Sequence, residues 1–112
     1  MLILSIIIFA IAAALGVYLL SYVLAEKNTP KGVVMIHGGV AALGIISLII
    51  YSFLYTTPLA SLLIFILAAL GGFFMFGWDI LGHKVPKSMA LGHGLIAVAG
   101  FILLLYFALS HF

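Results

Sequence analysis

Few residues in this chain can do chemistry. It carries four histidines, four lysines, two acids and no cysteine or arginine. Two of the histidines sit in matching segments, Ile36-His37-Gly38-Gly39-Val40-Ala41-Ala42-Leu43-Gly44 and Gly92-His93-Gly94-Leu95-Ile96-Ala97-Val98-Ala99-Gly100. Each follows a Pro-Lys pair, with Lys31 six residues before His37 and Lys87 six residues before His93. An imidazole can ligate a metal, carry a proton or bond across helices. If both segments are helical, Ala41 and Gly44 lie on the face of His37, and Ala97 and Gly100 on the face of His93. Gly38 and Gly94 flank the two rings.

The other chemistry-capable residues are unmatched. Asp79 is the sole acid inside an apolar stretch, four residues before His83 and so on its helical face. It can pair with His83, accept a proton from a neighbouring imidazole, or form an ion pair with Lys84 or Lys87. His83 falls at the edge of an apolar stretch, where a polar residue snorkels to the interface; it is also a third candidate metal ligand. His111 stands next to the last residue and needs no role beyond that of an interfacial side chain.

The elements that must position these residues follow from composition. Of 112 residues, 68% are hydrophobic and 5% charged, more apolar surface than a small soluble domain can hide. Four apolar stretches, roughly 2–25, 32–55, 58–82 and 88–110, each have the length of a helix crossing a hydrocarbon core of about 30 Å. The alternating short strands of a membrane barrel are absent from the sequence. Short breaks, each with a proline suited to opening the next helix, separate them: residues 26–31, 55–58 and 82–87. The expected fold is an all-α membrane protein, one domain of four transmembrane helices over 1–112 in an up-down-up-down bundle.

The bundle is expected to be an internal repeat. Shifted by 56 residues, the second half (57–112) falls on the first (1–56). Pro30-Lys31 meets Pro86-Lys87, and His37-Gly38 meets His93-Gly94. Ser5, Phe9, Ala12, Ala13 and Gly16 meet Ser61, Phe65, Ala68, Ala69 and Gly72. With two helices per unit, the copies run parallel about an axis along the membrane normal. Lys27, Lys31, Lys84 and Lys87 all fall in the first and third breaks. The positive-inside rule places those breaks in the cytoplasm and both termini outside, in the periplasm for a bacterial inner membrane. The first stretch lacks a basic leader segment and reads as a retained helix. The net charge of +2 comes from these loops and implies no nucleic-acid surface.

This architecture gives the histidines a meaning. They lie about 9 Å of helix rise inside the lysine side, at equal depth. Their helices are diagonal in the bundle, with axes about 11–14 Å apart. Two inward rings at that spacing are too distant for a direct hydrogen bond, but can reach one iron from opposite sides. Haem b with bis-imidazole ligation fits the gap, with Ala41, Gly44, Ala97 and Gly100 giving room and Lys31 and Lys87 meeting its carboxylates. Zinc or copper fits less well, because two histidines lack further ligands nearby. The plain alternative is that small residues only pack helices and that the histidines bond across them. Ionisable groups inside a membrane are costly and usually functional, which favours a site.

The His-Gly segments at 36–44 and 92–100 resemble those of membrane-embedded four-helix b-type cytochromes, in which paired histidines on bundle helices hold haem. The resemblance implies electron transfer, with His37 and His93 as axial ligands and a quinone or redox protein as partner. Larger members of that group often carry two haems, whereas the matched pair here supports one. The rival functions are a small transporter or channel and an accessory subunit without chemistry; homo-oligomers and lipid contact are compatible with all three.

Overall fold

The computed structural model describes residues 1–111 and has four α-helices: α1 (Leu2–Leu24), α2 (Lys31–Leu54), α3 (Leu59–Ile80) and α4 (Lys87–His111). All four are long and apolar enough to cross a membrane. The bundle measures 43 × 19 × 18 Å, the thickness of a bilayer with its headgroups. α1 packs on α2 and α3 on α4, and the ring closes through α1–α4 and α2–α3 contacts. α2 and α4 are therefore diagonal, as the short connections require. Between 17% and 22% of the most apolar stretch of each helix is buried inside the bundle, so most of its apolar surface faces outward.

Helix boundaries follow local chemistry. Pro30, Pro58 and Pro86 precede the first turns, and their carbonyls accept the opening helical bonds from Val34, Leu62 and Ala90. The prolines thus cap the helices rather than occupying their first position. α1 and α3 end alike. In α3, Gly82 takes a φ of +91°, and the N–H groups of Gly82 and His83 return to the carbonyls of Asp79 and Trp78. In α1, Glu26 takes a φ of +58°, and Glu26 and Lys27 return to Val23 and Tyr22. Both are Schellman terminations, with the left-handed position filled by glycine once and by glutamate once.

The core repeats about the bundle axis. Phe9 and Phe65 stack face to face across it, with ring centres 3.8 Å apart and planes within 4°. Gly44 and Gly100 make room for them: a Cβ on Gly44 would come within 2.8 Å of Phe9, and one on Gly100 within 3.2 Å of Phe65. Leu48 and Leu104 are wholly buried. Further out, Ser5 bonds to Ser47 across α1 and α2. Because Ser5 also donates to the Met1 carbonyl at 3.0 Å, Ser47 must be the donor to Ser5.

Candidate functional site

His37 and His93 reach from their diagonal helices into one layer of the bundle. Their ring centres are 6.3 Å apart and their planes cross at 82°. The helix before each histidine in its own repeat supplies the seat. His37 Nδ1 lies 2.8 Å from the carbonyl of Ala12. A carbonyl only accepts, so Nδ1 carries the hydrogen and Nε2 is the free lone pair. The ring lies over Gly16, where a Cβ would stand 3.1 Å from Cε1. The second half copies this seat: His93 lies over Gly72, where a Cβ would stand 3.3 Å from Cε1. His93 Nδ1 faces the Ala68 carbonyl without closing a good hydrogen bond, and is buried with no partner among the described residues.

The seats come from α-helical spacing. Ala12 and Gly16 are one turn apart on α1, as are Ala68 and Gly72 on α3, so carbonyl and bare backbone share a face. Phe9 and Phe65 sit one turn further from the lysine end. Their stack floors the histidine layer on that side.

Other expected site residues lie elsewhere or do other work. Gly44 and Gly100 do not border open space, since Phe9 and Phe65 fill it. Gly38 is exposed and Gly94 half-buried, and a Cβ on either would meet nothing within 4 Å. Ala41 and Ala97 are half-buried. Asp79 departs from all three expected roles. Its carboxylate accepts from Lys31 at 2.5 Å and from Thr29 at 3.2 Å, so it serves neither an imidazole, nor His83, nor Lys84 or Lys87. The reason is topological: α2 begins beside the end of α3, which sets Lys31 against Asp79 across the repeats. Lys87 makes the corresponding cross-repeat pair with Glu26 at 3.6 Å.

His83 stands outside the layer, stacked on Trp78 at 4.2 Å, while the Trp78 indole donates to the Lys84 carbonyl. His111 stacks on Phe107 and bonds to its carbonyl at 2.8 Å. The sequence reading missed Gly16, Gly72 and the carbonyls of Ala12 and Ala68 as site components. Their signal was present as repeat identities in α1 and α3.

Two imidazoles are a specific donor set. Among the described residues, no cluster of three or more His, Cys, Asp or Glu is placed to hold a metal ion. A metal about 2 Å from one nitrogen of each ring, each nitrogen about 1 Å from its ring centre, spaces the centres by about 6 Å. The observed separation of 6.3 Å is compatible in distance with one metal ion shared by the two rings. No protein-family model matches the chain, and no curated protein or solved structure matches it.

Proposed function

We propose that this chain is a membrane b-type cytochrome that holds one haem b through His37 and His93 and transfers electrons. The observation that carries the reading is the meeting of two repeat-related imidazoles, 6.3 Å apart, one with Nδ1 tied to a backbone carbonyl. Haem b held there by His37 and His93 would supply a one-electron couple, which suits electron transfer. The chain's part is to hold the rings. The Ala12 carbonyl fixes the tautomer of His37, leaving Nε2 as ligand. The Phe9–Phe65 stack keeps water from reaching the layer from the outer half.

Lys31 and Lys87 lie on the side where haem carboxylates would meet water, each already engaged with an acid of the other repeat. In this reading the lysine end faces the bacterial cytoplasm, the termini face the periplasm, and a quinol or a redox protein is the electron partner. The test is a visible spectrum of purified protein with pyridine haemochrome extraction. Red protein with a Soret band and about one extractable haem b per chain is expected. Colourless protein overturns the reading and leaves transport or an accessory role.

A further inference from the structure

We propose that Gly16 and Gly72 are positioning residues that set the rotation of the two imidazole planes. The inference rests on the reading that His37 and His93 are ligands, and adds what fixes their angle. Each ring meets the neighbouring helix of its own repeat at two places, and His37 alone closes a hydrogen bond there. A carbonyl addresses Nδ1, from Ala12 or Ala68, and a glycine one turn later lies under Cε1. A single hydrogen bond leaves an imidazole free to swing about it, because terminal torsions of this kind are broad. The bare backbone of the glycine removes that freedom by letting the ring approach to van der Waals contact. A methyl group at 3.1 Å or 3.3 Å from Cε1 is tighter than an ordinary contact, so the ring must give by a few tenths of an ångström.

The two seats are not interchangeable. His37 closes its bond to Ala12, whereas His93 Nδ1 is unpartnered among the described residues. Repeat 2 carries a second glycine here, Gly71, where repeat 1 has Leu15. A Cβ at Gly71 would stand 3.8 Å from His93 Nδ1, an ordinary contact, so Gly71 does not constrain the ring as Gly72 does. The contact at Gly72 is therefore the firmer of the two holds on His93. Together the seats leave the planes at 82°, the angle at which His37 and His93 would be presented to a shared iron.

The experiment uses the full chain with 15N-labelled histidine in detergent. Gly16→Ala is expected to move the ring-nitrogen resonances of His37 and leave those of His93, and Gly72→Ala to do the reverse. Gly32→Ala and Gly77→Ala, whose new methyl groups meet nothing within 4 Å, are expected to move neither. In wild type, cross-relaxation between His37 Cε1–H and the Gly16 α-protons is expected; its absence overturns the proposal even if the alanine variants do not accumulate. In haem-loaded protein, perpendicular planes give a strongly anisotropic low-spin ferric signal, and each alanine is expected to shift it while haem content holds. Red protein whose ferric signal and nitrogen resonances ignore both alanines overturns the positioning role and leaves the haem reading intact. Colourless protein whose resonances still respond overturns the haem reading and supports the seats.

Discussion

A histidine inside a membrane is costly unless its nitrogens have work to do. His37 satisfies one nitrogen on Ala12, and its ring shares a layer with that of His93. If the chain holds haem as proposed, replacing either by alanine is expected to abolish haem retention or leave it high-spin, read as loss or shift of the Soret band. His83→Ala and His111→Ala are expected to keep a full low-spin spectrum, because those rings stack on Trp78 and Phe107 away from the layer. A low-spin spectrum surviving in both His37→Ala and His93→Ala would remove the pair from any ligand role. The pair was legible in the sequence because the repeat equated the two positions and their equal spacing from Lys31 and Lys87 fixed their depth. Asp79 was not legible. Its partner lies 48 residues away on another helix, and spacing within one helix points only to His83. Gly16 and Gly72 stayed hidden for the same reason: their function is a contact between helices.

Among elements, two substitutions separate local propensity from packing. Gly44→Ala adds helix propensity of about 1 kcal/mol but drives a methyl group to 2.8 Å from the buried Phe9 ring. Overpacking of this kind costs about 1–3 kcal/mol, so the variant is expected to melt lower than wild type in detergent. Gly38→Ala, whose methyl group meets nothing within 4 Å, is expected to match or exceed wild type. Equal melting of the two variants would show that the Phe9–Phe65 stack yields freely. The other substitution is at the end of α1. Glu26 holds a left-handed φ of +58° that its counterpart Gly82 adopts without penalty. The strain costs about 1–2 kcal/mol, while a glycine gives back about 0.4–1 kcal/mol through unfolded-state freedom. The pair with Lys87 is long and exposed on both sides, and adds little in water. Glu26→Gly is therefore expected to be neutral or stabilising by up to about 1 kcal/mol, despite removing half of the acids. A clear fall in melting temperature would assign real weight to the Glu26–Lys87 contact. The termini themselves were legible to within one or two residues, because proline and the polar loops mark them. The prolines' capping place was not, since only the backbone bonds reveal it.

For the whole molecule, repetition and charge act together. Two parallel hairpins place α2 and α4 diagonally, and this brings one histidine from each to the axis. The halves are joined at the lysine end by Lys31–Asp79 and Lys87–Glu26, each linking one repeat to the other. These acids lie beside the lysines, yet they do not cancel the orientation signal, because insertion counts lysine and arginine and weighs Asp and Glu little. The opposite end offers Tyr55, Thr56, Thr57 and Pro58, with no lysine or arginine. A retained cytoplasmic lysine end is therefore expected for all molecules, not a mixture of two orientations. A phosphatase active only in the periplasm, inserted between Thr56 and Thr57, is expected to be active, and the same insertion after Lys84 silent. The turn between Thr56 and Thr57 is exposed, so the insertion disturbs no buried contact. The reverse pattern would overturn the orientation and place the histidine layer in the outer half of the membrane. Activity at both positions would reveal dual insertion, in which case four lysines on one end fail to outweigh the symmetry of the bundle.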